Sequence, residues 1–191
     1  ISQVKVEETI SVSAPSEPVV NTVEPAKESI PPPTLPAIIT YPKILISEVQ
    51  IAGETAKDEF IELYNPTGQA VNLAGWSLKR KTSTGTGANL VSSSAFSGTI
   101  GAYGYFLVVP QPNDDGTANY KGSATSDLFY SGKTYSVASD NAVFLYNPNV
   151  ELSDKIGFGA ATEAEGSPAT NPPAGQSLNR IWDTVNQTYY D

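Results

Sequence analysis

The 191-residue chain has no cysteine, no histidine and no methionine. Without cysteine there are no disulfides and no thiolate chemistry, and without histidine the imidazoles of catalytic triads, Cys-His dyads and most zinc sites are gone as well. Carboxylates, lysines, tyrosines and hydroxyls are left for any chemistry. Basic residues are scarce: 11 Lys and Arg stand against 20 Asp and Glu, a net charge of −9, which repels phosphate backbones and argues against a nucleic-acid partner. Long apolar runs are missing too. The longest, residues 105–109, is far short of the ~20 residues a membrane-spanning helix needs, so no membrane span is expected in this chain. The absence of an initiator methionine reads as a processed chain or a fragment whose signal peptide, if it had one, is gone. At this length, with 39% hydrophobic residues, the expectation is one core and one domain plus a tail.

Glycine and proline divide what is there. Residues 1–42 hold 8 of the 15 prolines, none of the 15 glycines and a single aromatic, Tyr41. Residues 15–42 read as a Pro-rich linker in extended polyproline II, a semi-rigid spacer. Residues 1–14 differ: Val4, Val6, Ile10 and Val12 fall on one face, interrupted by Glu8, and Gln3, Lys5, Glu7, Thr9, Ser11 and Ser13 on the other. That alternation is a strand pattern. A lone strand is unstable in water, so this segment is expected to donate itself to, or dock on, a sheet edge elsewhere. The four aliphatic residues are its candidate interaction set.

From residue 43 to 191 the pattern is all-β. Strands are expected at 44–51, 59–64, 76–81, 103–109, 142–146, 155–158 and 177–182, each bounded by Gly, Pro, Asn or Asp. About seven short strands with a tryptophan on the third predict an immunoglobulin-like β-sandwich preceded by the extended Pro-rich arm. Ile46, Val49, Ile61, Leu63 and Trp76 are the candidate structural core. Pro66 should end the second strand, Gly68 should supply a turn conformation costly to other residues, and Gly75 should allow a close approach before Trp76. The Leu-Tyr-Asn-Pro of residues 63–66 recurs at 145–148, which reads as one strand-to-turn solution used twice. Residues 82–101 and 111–141 read as long loops whose aromatics, Phe96, Tyr120, Phe129, Tyr130 and Tyr135, cover the sandwich.

The order of these pieces is similar to a known family. Ile46-Ser47-Glu48-Val49, Glu59-Phe60-Ile61-Glu62-Leu63, the turn Asn65-Pro66-Thr67-Gly68 and Val71-Asn72-Leu73-Ala74-Gly75-Trp76 resemble, in content and sequence order, the lamin-tail domain family. The likeness covers most of residues 43–182; Asn72 stands where the family commonly has Asp. The resemblance implies an immunoglobulin-like sandwich acting as an interaction module. In bacteria it implies an exported or surface-associated protein tethered to other domains.

Candidate chemistry is thin. The carboxylate pairs Glu48 with Glu62, Asp114 with Asp115 and Glu163 with Glu165 suit acid-base work in principle, but each is as readily a hydrogen-bonded or ion-paired surface group. Asn113-Asp114-Asp115-Gly116 offers oxygen ligands without calcium-loop spacing, so a plain turn is favoured. Lys79-Arg80-Lys81 reads as charge that protects an edge strand. Thr40-Tyr41-Pro42-Lys43 resembles the element by which sortase-assembled pilins present an acceptor lysine, and reads equally as a linker entering a sheet. No catalytic residue, metal or cofactor is expected. The expected role is a structural subunit of an extracellular or cell-surface assembly, a homo-oligomer or filament joined through the arm. The alternative is a monomeric stalked adhesion domain with a protein or glycan ligand.

Overall fold

The structure, a computed structural model, describes residues 39–132, 136–183 and 188–190. The expected donor strand with Val4, Val6, Ile10 and Val12, the spacer up to residue 38, and Tyr135 lie outside the described residues.

The described chain is built of strands and turns: β1 (Leu45–Gln50), β2 (Phe60–Tyr64), β3 (Val71–Asn72), β4 (Ser77–Thr82), β5 (Gly87–Val91), β6 (Thr99–Ile100), β7 (Tyr105–Pro110), β8 (Leu128–Tyr130), β9 (Asn141–Tyr146), β10 (Leu152–Gly157), β11 (Ser177–Asn179), β12 (Ile181–Asp183) and β13 (Thr188–Tyr190). Two sheets form the sandwich, one in the order β11-β1-β2-β7-β8 and the other β10-β9-β4-β5, with small two-stranded pairs β3-β6 and β12-β13 beside them. All neighbours are antiparallel except β7 and β8. This is the immunoglobulin-like sandwich expected.

Alternation decides which side chains go inside. In β2, Ile61 and Leu63 are buried and Phe60, Glu62 and Tyr64 half-buried, because successive side chains of a pleated strand face opposite ways. Ile46 and Val49 from β1 join them, and Leu78, Val143, Leu145 and Ile156 close the core from the other sheet. Trp76 sits at its centre, fully buried, with the Tyr41 ring edge-on at 6.2 Å. Strands β7 and β9 are buried on both faces. Ala161 packs on the outer side of β9 against Ala142 and Phe144. On the other sheet, Tyr120 from the segment after β7 meets Phe60 edge-on at 5.8 Å.

Several expectations change. Residues 82–101 and 111–141 are not simply loops: they contain β5, β6 and β8. Gly-Ala-Asn-Leu-Val at β5 has poor local β propensity, and it is held by pairing along β4. Residues 177–182 form two strands rather than one, broken at Arg180. The tenth strand starts at Leu152, ahead of a bulge between Leu152 and Asp154, instead of at 155. Tyr103 is in a turn with φ 52°, and β7 begins only at Tyr105. Lys79-Arg80-Lys81 lies on an interior strand, since β4 stands between β9 and β5; edge protection is not its role. The glycine roles also shift. Gly75, at φ 84°, is the one in the left-handed region and has Pro148 against it. Gly68 has no positive φ and instead leaves room for Tyr103, whose hydroxyl would lie 3.2 Å from an added Cβ.

Candidate functional site

Two carboxylates are in phase with the apolar faces of their strands, and both end up inside. Glu59 precedes β2 on the side of Ile61 and Leu63 and is fully buried. One of its oxygens accepts the Val137 amide, and the Tyr130 hydroxyl is its side-chain neighbour. Burial pushes the Glu59 carboxyl up to about 7, against the pull of Tyr130, the Val137 amide and the more distant Arg80 and Lys57 charges. The same burial, with Glu59 beside it, holds the Tyr130 phenol well above its ordinary range. An acid of this kind suits proton transfer, yet it faces the core rather than a cleft.

Asp154 of β10 shares the inward face with Ile156 and Phe158. Its Oδ2 accepts the Ile46 amide of the opposite sheet at 2.6 Å, and Arg180 Nη1 donates to its Oδ1 at 2.9 Å. Arg180 also reaches Glu165 at 3.0 Å and the Lys155 carbonyl at 3.1 Å, while its own amide donates to the Ser47 carbonyl at 2.8 Å. The cluster clasps β10 to β1 and to the chain between β11 and β12. Burial pushes the Asp154 carboxyl upward, and Arg180 and the Ile46 amide pull it back.

The outer face of the five-stranded sheet carries the expected pair Glu48 and Glu62, directly opposite each other on β1 and β2. Each is held by a serine: Ser177 donates to Glu48, and Ser47 to Glu62 at 2.7 Å. Partial burial raises Glu62, with Ser47 working against it and the Glu48 charge adding to it. Nearby, buried Asp58 accepts the amides of Glu54 and Lys121, both at 2.9 Å, and fixes two loops. Asp115 accepts the Thr117 amide at 2.9 Å inside a turn closed by Gly116 at φ 83°. Among the described residues, no three acids gather as a metal site, and none of their helices is long and apolar enough to cross a membrane. Asn65 and Asn147, the two copies of the repeated turn, are both buried, and each accepts the amide two residues on, at 3.0 and 2.9 Å. Asp58, Asp115, Asn65 and Asn147 all shape backbone.

What remains open is surface. Tyr64 and Tyr105 oppose each other across β2 and β7 with ring centroids 4.9 Å apart, and Tyr103 stands on the strained turn beside them; Tyr103 and Tyr105 are each 63% exposed. On the other sheet, a groove of about 400 Å3 runs beside β5, lined by Lys79, Lys81, Asn89, Phe144, Tyr146 and Glu163 among others. Lys79 sits 4.8 Å from the Tyr146 ring centre, and Lys81 pairs with Glu163, holding that carboxyl below its ordinary range.

The five core residues named from sequence, Ile46, Val49, Ile61, Leu63 and Trp76, all lie in one cluster, and Lys43 is half-exposed, 3.7 Å from Glu165. The clasp at Asp154 and Arg180 and the buried Glu59 were not anticipated. Their signal was available, because an acid in register with Ile, Leu or Phe on alternate positions must point inward.

No curated protein matches the chain. A family model described as Lamin Tail Domain matches residues 39–160, which include β1 to β10 but not β11, the strand that completes the first sheet beside β1. With more than half its length in that match, and with the sandwich built from the same motifs, the chain belongs to the lamin tail domain family.

Proposed function

We propose that the chain is a structural subunit of an extracellular or cell-surface assembly, in which residues 1–14 of one copy dock on the sandwich of the next. Its family is one of non-enzymatic structural folds and suggests an interaction module. Assembly through the arm is supported by the strand-patterned segment of Val4, Val6, Ile10 and Val12 set at the end of a spacer rich in proline. A strand needs a neighbour for its backbone groups, and a spacer separates it from its own sandwich. A contact of that kind is head-to-tail and does not close on itself, so it propagates as a filament. Low basic content and the net charge of −9 favour solubility outside the cell over binding to anionic polymers.

A second reading, a monomeric stalked binding module, draws on the exposed Tyr103 and Tyr105. An aromatic held on a left-handed turn is backbone strain placed where a ligand would meet it. Negative-stain electron microscopy of the purified full chain separates the two: filaments or chains of beads are expected, and isolated particles at high concentration would favour the stalked module.

A further inference from the structure

The sandwich has four sheet edges, and they are not equally available. β8 and β11 are three residues each. The outward side of β10 is occupied: Arg180 takes the Lys155 carbonyl, the Ala169 amide takes the Gly157 carbonyl at 2.9 Å, and Ser153 bonds both the amide and the carbonyl of Ile44 at 2.9 Å. β5 differs. It is five residues long, pairs with β4 alone, and among the described residues no turn or loop hydrogen bond reaches Gly87–Val91. Its sequence, Gly-Ala-Asn-Leu-Val, carries no charge and no proline, the devices by which proteins ordinarily blunt an edge. An unpaired edge of this kind is a template for another strand.

We infer that the outward edge of β5 is the acceptor for residues 2–13 of a second copy, which add to the four-stranded sheet as its fifth strand. The inference rests on the arm-mediated assembly proposed above and names its site. The side chains fit the two faces of such a strand. Toward the core, β5 ends in buried Leu90 and Val91 with buried Phe96 just beyond, an apolar border that Val4, Val6, Ile10 and Val12 would extend. Toward solvent, the arm's polar face with Lys5, Glu7 and Thr9 would stand beside Asn89, with the Lys79 and Lys81 row one strand further in. Length also fits. Five residues of edge span roughly 17 Å and take up five of the arm's twelve residues, which would extend over roughly 40 Å, and a polyproline II spacer as long as residues 15–38 would reach roughly 75 Å at about 3.1 Å per residue, enough to cross to a neighbouring copy.

Because the chain has no cysteine, every disulfide formed joins introduced cysteines, and a size tag on one of the two chains separates heterodimers from homodimers. Chains carrying Asn89→Cys are mixed with chains carrying one arm cysteine from the polar face, Lys5→Cys, Glu7→Cys or Thr9→Cys, and oxidised gently. At least one of these mixtures should give disulfide-linked heterodimers about tenfold above the same arm variants mixed with Phe129→Cys on β8 or Asn179→Cys on β11, since a disulfide needs Cα atoms within about 7 Å. Equal yields at all three edges, or none at Asn89, would overturn the assignment to β5. When both cysteines sit in one chain, a fast-migrating monomer without heterodimers in the mixtures means docking within the same copy, and overturns the second-copy claim. Failure at Asn89 combined with arm-dependent association in solution would remove β5 and leave the assembly standing; no association at all would remove both.

Discussion

At the scale of single residues, the inward acids matter most. Glu59 ordinarily titrates near 4.5, and burial holds it near 7 in the folded chain. Between those values the folded protein keeps a proton that the unfolded chain has released. Stability from this group is therefore highest at low pH, declines as pH rises from about 4.5 to about 7, and stays reduced above that, by up to about 3 kcal/mol. Glu59→Gln, which keeps the shape and removes the charge, should leave melting near pH 5 little changed and raise it near pH 8, flattening the profile; parallel profiles for wild type and variant would show that Glu59 carries no shifted proton. The face of Glu59 was readable from its spacing to Ile61 and Leu63. Its partners were not, because Tyr130 and Val137 arrive from a segment about 70 to 80 positions away, and no local pattern encodes that meeting.

At the scale of elements, strands with strong alternation were legible and strands held by their neighbours were not. Phe60–Tyr64 and Asn141–Tyr146 alternate or run apolar on their own. β5, β6 and β8 exist because β4, β3 and β7 offer them ladders. The break at Arg180 is of the same kind: its amide still bonds the Ser47 carbonyl of β1, while its side chain turns to fill the clasp. Its guanidinium and the Asp154 carboxylate are almost wholly buried, with 2% and 0% side-chain exposure. Removing one partner strands a charge away from water, so Arg180→Ala should cost about 3 to 5 kcal/mol, far above a surface pair. Arg180→Leu with Asp154→Leu should recover much of that loss, because the desolvation cost disappears with the pair. Chemical denaturation of Arg180→Ala, of the two single leucine variants and of the double variant measures this, and an additive double variant would mean the two residues do not interact.

For the whole molecule, the sandwich was legible because its motifs recur in a set order. The acceptor edge was hidden, since which strand stands last in a sheet is a property of topology and not of any segment. The central claim is that the arm joins copies through one face. Light scattering on the full chain and two double variants tests it most directly, because strand geometry makes alternate positions unequal. Val6→Asp with Ile10→Asp should abolish self-association while the sandwich melts as before, and Gln3→Asp with Thr9→Asp should leave association nearly intact. A wild type that stays monomeric at high concentration, or two variants that behave alike, would contradict the account.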